Sequence, residues 1–154
     1  MEEILAKAVR QGKINHAWLL TGESAATRAQ AMAFAQALLC QNPVNGEACG
    51  HCPACRKVKD GNHIDLQIVE PNTLRAKSVT IEQTRHMQQL ASLQSYEGGR
   101  QVVLLLEAHT MRVAAANSLL KILEEPPEGL VFILTAINGD HLPVTDVFSS
   151  LHVC

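Results

Sequence analysis

Residues 17–40 read AWLLTGESAATRAQAMAFAQALLC: a short apolar run, a glycine turn, then an alanine-rich stretch of helical composition. Strand, glycine loop and helix in that order frame a phosphate-binding loop, and they decide the fold class. Aligning Gly22 with the first glycine of G-x-x-x-x-G-K-[ST] places Thr27, Arg28 and Ala29 where a nucleotide site requires glycine, lysine and a hydroxyl. Each replacement removes something physical. Thr27 carries a β-branched Cβ where the backbone must bend closely around phosphate oxygens, and Ala29 has no oxygen to offer Mg²⁺. Arg28 keeps a positive charge but spreads it over a planar fork that does not replace a compact ammonium. The stretch reads as a nucleotide-binding scaffold whose site has lapsed. An ordinary strand-to-helix turn that never bound phosphate is the competing account.

Outward from this stretch, strands and helices alternate. Ile4, Leu5, Ala8 and Val9 recur at helical spacing before Gly12, so an opening helix is expected to end near Gln11. Ala17 to Thr21 is the first buried strand and Thr27 to Leu39 a helix able to approach a sheet closely. Ile64 to Val69 is a second strand, stopped by Glu70-Pro71-Asn72, and a helix is expected over Thr80–Leu93, capped by Ser78 or Thr80. Gln101 to Leu106 and Leu130 to Thr135 are continuous apolar strands. Between them Val113 to Leu123 places Val113, Ala116, Leu119, Leu120 and Leu123 on one helical face. Near-continuous Val, Ile and Leu runs predict an α/β fold, a parallel sheet covered on both faces by helices.

With 154 residues and 47% hydrophobic content the chain suits one compact domain, and two would be crowded. A formal net charge of -2 gives no global electrostatic case for nucleic acid, so any such contact needs a local patch or a partner. No apolar run approaches the roughly 18 residues that span a bilayer. Met1-Glu2-Glu3 is acidic, unlike the start of a signal peptide. A soluble, cytoplasmic protein without membrane contact is expected.

Four of the five cysteines cluster as C-x8-C-x2-C-x2-C: Cys40, Cys49, Cys52 and Cys55. Four thiolates at such spacing suit one tetrahedral Zn²⁺, with Gly46, Gly50 and Pro53 supplying the turns that fold sulfurs inward. His51 competes as a ligand. Reduced thiols in a loop, a redox pair of Cys52 and Cys55, and an iron–sulfur cluster are the other accounts. With every position a ligand there is no open site for water, so the metal would be structural. Arg56, Lys57 and Lys59 follow directly, as a solvated helix face or a small basic patch for a phosphate or partner.

The cysteine cluster after this helix, together with Asn117 to Pro127 (NSLLKILEEPP), closely resembles bacterial DNA polymerase III clamp-loader subunits, of the delta-prime type related to gamma and tau. His16-Ala17-Trp18-Leu19, Glu107-Ala108-His109 and Leu142-Pro143-Val144-Thr145 extend the resemblance over nearly the whole chain. It implies an AAA+ domain over residues 1–154 with a zinc module inserted at about 40–60, the family's lid and collar domains lying outside this chain. It also implies a place in a machine that opens a sliding clamp and sets it on primed DNA. There tau and gamma subunits hydrolyse ATP, while delta-prime often has a degenerate site and serves as a relatively rigid partner.

Further departures from the ATPase pattern agree with that division of labour. Leu106-Glu107 retains only the glutamate of an expected Asp-Glu pair, and Asn138 is the one polar residue near the sensor position. Ser149 stands where a trans-acting arginine is expected, with Cys154 a displaced cysteine of that motif or a free thiol. The resemblance thus implies no catalytic residue and a degenerate nucleotide site at Gly22, Thr27, Arg28, Ala29 and Glu107. Zinc would be structural, ATP would bind poorly, and tau/gamma and delta subunits would be the direct partners. The clamp and primed DNA would be reached through the complex, and the isolated domain would be a monomer. An ATPase of the gamma/tau kind using Arg28 and Glu107 in an altered site, and a zinc-dependent nucleic-acid-binding module, are the competing functions.

Overall fold

Val102, Val103, Leu104 and Leu105 are all fully buried, and so are all seven residues from Leu130 to Ala136. Runs buried on alternate sides mark strands covered on both faces. The computed structural model describes residues 3–12, 17–70, 83, 85, 100–110, 114, 117, 119, 129–136 and 152–153. In chain order these give α1 (Glu3–Gln11), β1 (Ala17–Thr21), α2 (Ser24–Leu39), α3 (Pro53–Lys59), β2 (Leu66–Val69), β3 (Gln101–Leu105), β4 (Leu130–Ala136) and β5 (His152–Val153). A single 3₁₀ turn, Ala108–Thr110, follows β3.

The strands form one parallel sheet in the order β2-β3-β4-β1-β5. Parallel neighbours need crossovers, and α2 supplies the first, carrying the chain from β1 across the sheet to the β2 edge. It lies on one face, where Trp18, Leu20, Val102, Leu104, Val131 and Ile133 meet Ala31, Phe34, Ala35 and Leu38. Small residues at 31 and 35 let the helix approach closely, and Phe34 fills the centre edge-to-face against Trp18, centroids 5.1 Å apart. Such a pair contributes about 0.5–1.5 kcal/mol beyond its buried area. Leu5 and Ala8 of α1 join the same cluster.

The α/β parallel sheet agrees with the sequence, and β1 has the expected limits. β2 begins at Leu66 rather than Ile64, because Ile64 is exposed and lies within a turn closed by Leu66 N–H on the His63 carbonyl at 3.2 Å. The short β5 pairs with β1 and was not expected from sequence. The expected helices at 80–93 and 113–123 lie largely outside the described residues, although Gln83, Arg85, Ala114, Asn117 and Leu119 are helical. Among the described residues no helix is long and apolar enough to cross a membrane.

Parallel strands give the sheet two distinct edges. Gly22, Glu70, Leu106 and Ala136 sit at or just beyond the carboxyl ends of β1 to β4, the edge at which open α/β sheets bind ligands. Asp65 and Arg100 lie at the amino ends of β2 and β3, with Cys40 at the far end of α2.

Candidate metal centre and the closed loop after the first strand

The sulfur atoms of Cys40, Cys49, Cys52 and Cys55 all lie within 4.8 Å of one another. Cys40 and Cys49 are separated by 3.5 Å, Cys49 and Cys55 by 3.9 Å, and Cys52 and Cys40 by 3.9 Å. Four sulfurs bonded at ~2.3 Å to one tetrahedral Zn²⁺ stand roughly 3.8 Å apart. The four free thiols are therefore arranged at about the size of a metal tetrahedron.

Local backbone builds this geometry from three pieces. Cys40 is the C-cap of α2, its extended backbone turning the chain out of the helix. In the first cysteine turn, Cys49 Sγ accepts the N–H groups of His51 and Cys52, each at 3.4 Å, around Gly50 at φ 79. In the second, Cys52 caps α3 and its Sγ accepts Cys55 N–H at 3.4 Å, with Pro53 opening the helix. Cys40 Sγ accepts from Asn42 and Cys49 N–H at 3.4 and 3.3 Å. Hydrogen bonds to sulfur favour the thiolate, the form a metal binds.

The three perturbed thiols differ. Burial pushes Cys40 up to about 12, against the pull of the Cys49 and Asn42 amides. The amides of His51 and Cys52 hold Cys49 below its ordinary value. Burial opposes the Cys52 thiolate, but the Gln41 and Cys55 amides and the neighbouring Cys55 and Cys49 side chains outweigh it, and its pKa falls to about 6. His51 is exposed and enters the cluster through its backbone N–H; the group that could hold a metal consists of the four thiols.

A tight hairpin fixes this loop to the domain. Val44 and Glu47 exchange backbone hydrogen bonds at 2.8 and 2.9 Å around Asn45 and Gly46, both at positive φ. A Cβ on Gly46 would lie 2.2 Å from the Ala6 carbonyl oxygen of α1, so only glycine allows the approach. Arg10 donates to the Asn45 carbonyl at 3.4 Å.

At the other end of α2 the strand–glycine–helix frame is present, with a loop shorter than the motif alignment gives. The helix begins at Ser24, three residues before the Thr27 expected from the motif alignment, leaving Gly22 and Glu23 between strand and helix. The residues that would arch over phosphates form the first turn instead. Glu23 is the N-cap, and its carboxylate accepts Ala25 and Ala26 N–H at 3.0 Å each. An anion at a helix N-terminus is stabilised by these same donors. Thr27 is buried, its hydroxyl donating to the Glu23 and Ser24 carbonyls at 3.2 and 3.1 Å. Gly22, at φ 142, donates to the Ala136 carbonyl at 3.1 Å and ties the turn to β4. The pocket left beside it measures about 120 Å³, below the roughly 300–1,000 Å³ of ordinary ligand sites.

Arg28 pairs with Glu70 at 2.9 Å, both side chains about half exposed, and so spans from α2 to the end of β2. Ala29 is exposed and offers no ligand atom. Glu107 sits at φ 54 and donates its N–H to the Thr135 hydroxyl at 2.9 Å, while Thr110 closes the turn on its carbonyl. Neither the Glu23 plug nor the Thr135 brace was read from the sequence. An acidic residue directly after the loop glycine was the available signal for the first; the second joins residues 28 apart and has none. Asn138, Ser149 and Cys154 lie outside the described residues.

Residues 1–147 match the family model described as DNA polymerase III, delta subunit. The chain belongs to the DNA polymerase III delta subunit family. It is 42% identical over 128 residues to DNA polymerase III subunit delta' of Pseudomonas aeruginosa, covering 82% of this chain and 39% of that protein. To the delta' subunit of Escherichia coli it is 34% identical over 148 residues, 93% of this chain and 43% of that one. Subunit tau of Escherichia coli is 32% identical over 142 residues, 92% of this chain and 22% of tau. The fold is shared with a DNA polymerase III gamma subunit-related protein of Thermotoga maritima, at a TM-score of 0.72 and 20% identity over 99% of this chain and 44% of that one. Family membership bears out the resemblance carried by the cysteines and the NSLLKILEEPP segment. This member of the DNA polymerase III delta subunit family spans about two-fifths of the delta' proteins it matches.

Proposed function

We propose that this chain is the AAA+ domain of a non-catalytic, delta-prime-like clamp-loader subunit, which helps assemble the complex that loads the sliding clamp on primed DNA. The observation that carries it is the Glu23 carboxylate on the first amides of α2, in a loop too short to encircle a phosphate. A triphosphate entering here must expel that carboxylate, unwind the first helical turn and meet a buried methyl-bearing Thr27. Arg28, held by Glu70, and Glu107, whose N–H is turned to Thr135, then have no nucleotide to act on. Gly22, Thr27, Arg28, Ala29 and Glu107 are thus the remnant of a site, and catalysis belongs to neighbouring tau or gamma subunits.

Cys40, Cys49, Cys52 and Cys55 would hold one structural zinc ion, which joins the end of α2 to α3 and, through the Gly46 hairpin, to α1. The ion supplies cross-linking and neutralises thiolates; with four protein ligands it leaves no position for a substrate. Lid and collar domains and Ser149 in place of an arginine finger complete the proposal.

Two measurements test it. Calorimetric titration of ATP with Mg²⁺ into the zinc-loaded chain is expected to give no saturable heat at millimolar nucleotide; micromolar binding overturns the degenerate site. The protein carrying its lid and collar, mixed with tau/gamma and delta subunits, is expected to co-elute on size exclusion, and separate elution at micromolar concentration overturns the assembly role.

A further inference from the structure

The four thiols of the cluster differ in their access to solvent. Cys52 and Cys55 are buried, whereas Cys40 and Cys49 are partly exposed. The exposed pair is also close: Cys40 and Cys49 stand 3.5 Å apart, nearer than Cys49 to Cys55 or Cys52 to Cys40, each at 3.9 Å. Cys49 N–H donates to Cys40 Sγ at 3.3 Å, so the backbone already sets the two residues side by side. Between them runs the hairpin closed by Val44 and Glu47 and seated on Ala6 at Gly46. Accessibility and proximity thus coincide at one pair of sulfurs, and these are the conditions under which thiolates are oxidised.

We propose that Cys40 and Cys49 form a reversible disulfide on exposure to hydrogen peroxide, a modification that divides the cluster in two. The first thiolate gives an electron pair to one peroxide oxygen and the O–O bond breaks. The departing hydroxide takes a proton and leaves as water, and a sulfenic acid remains. The second thiolate attacks that sulfur, the S–S bond forms and the S–O bond breaks, and hydroxide again takes a proton and leaves as water. Two thiolates, one peroxide and two protons give one disulfide and two waters, the peroxide gaining the two electrons that the sulfurs lose. A disulfide holds its sulfurs about 2.05 Å apart, so the pair closes by roughly 1.5 Å. Sequence spacing favours a different pair, the C-x2-C of Cys52 and Cys55. In the fold, however, Cys52 Sγ caps α3 by accepting Cys55 N–H at 3.4 Å, and the Cys55 side chain is wholly buried.

The two halves of the cluster respond differently. The new bond keeps the loop from Cys40 to Cys49 closed, so the hairpin and its seat on α1 persist. The two remaining thiolates, on Cys52 and Cys55, no longer complete a tetrahedral shell, and they release a bound zinc ion. Only this release rests on the zinc reading above. α3 has seven residues, well under the roughly 12–15 at which an isolated helix becomes even marginal. Without the metal tether the packing of Ala54 and Val58 alone holds it in place.

The test treats the zinc-loaded chain with about one equivalent of hydrogen peroxide, the stoichiometry of one disulfide, and alkylates the thiols left over. A glutamate-specific protease then cuts after Glu47, which parts Cys40 from the other three cysteines of the cluster. Fragmentation mass spectra are expected to show Cys40 bonded to Cys49, with Cys52 and Cys55 alkylated. Hydrogen exchange at the Arg56 and Asp60 amides of α3 is expected to speed by about tenfold or more, while the Val44 and Glu47 amides keep their protection within about twofold. Dithiothreitol with zinc is expected to restore the starting pattern. Zinc content before oxidation tests the metal reading separately, and the disulfide map decides on the pair in either case. A Cys52–Cys55 bond as the main product, sulfinic acid without a disulfide, or four unreacted thiols at about a tenfold excess of peroxide overturns the proposal. So does loss of protection at Val44 and Glu47 together with α3.

Discussion

The two ends of α2 solve the problem of unpaired charge in opposite ways. At its N-terminus the exposed amides are met by the chain's own Glu23 carboxylate, so the turn is complete without any visitor. At its C-terminus Cys40 delivers the first of four sulfurs to a cluster whose members would repel one another as thiolates. One end has internalised its counter-charge; the other gathers four donors able to hold a cation. A side chain that supplies a ligand's charge at the ligand's place removes the need for it, whereas four sulfur donors brought together suit a cation.

Breaking the C-terminal end has the largest expected effect. Cys55→Ser removes a fully buried sulfur and is expected to lower bound zinc from about one per chain to near zero, with loss of native signals over α3. Metal analysis and amide spectra check it; a native spectrum with full metal content would count against the structural role. Acid acts in the same direction. Cys52, lowered to about 6, is a thiolate above that pH and takes a proton as pH falls through it, so zinc affinity drops most steeply below about pH 6.

Next comes the hairpin that anchors the cysteine loop. Gly46→Ala sets a Cβ 2.2 Å from the Ala6 carbonyl at a positive φ, and a loss of about 1–3 kcal/mol in chemical unfolding is expected, in zinc-loaded and zinc-free protein alike. An effect seen only with zinc bound would move the anchor from α1 to the metal.

The N-terminal end should respond less. Glu23→Ala is expected to cost about 0.5–2 kcal/mol, the range for a lost helix cap, without creating micromolar ATP affinity, because Thr27 and the shortened loop remain. Smallest is Arg28→Ala. Its pair with Glu70 is half exposed, so a change of about 0–1 kcal/mol that shrinks in high salt is expected in thermal melts.

The sequence was legible where pattern is local. Apolar runs at 17–21, 101–106 and 130–135 gave the strands to within one residue, because burial on both faces leaves few polar positions to obscure them. The spacing of Cys49, Cys52 and Cys55 placed three sulfurs within two short turns. The start of α2 was misplaced for an instructive reason. Matching Thr27 to the second motif glycine imports the motif's long loop, whereas Glu23, outside the usual Ser, Thr, Asp and Asn caps, starts the helix earlier. Arg28 with Glu70, Glu107 with Thr135, and the His63, Asp65 and Arg100 cavity join residues distant in sequence. No periodicity announces such meetings; strand order alone creates them.

Strand order also sets a timetable for synthesis. β1 lies between β4 and β5, and Ala17 pairs with Phe132, so the first strand made must wait for about 115 further residues before either neighbour exists. At the roughly 5–20 residues per second of a ribosome that interval is about 6–23 s. Throughout it Trp18 and Leu20 are shielded by α1 and α2 alone among the described elements, and the β1 backbone is open to pairing with any other strand. Ribosome-stalled chains ending before Leu130 are accordingly expected to be cut by protease within β1, and those extending well past Ala136 to resist it. The cysteine loop, complete by Lys59, can fold long before the sheet that it adjoins.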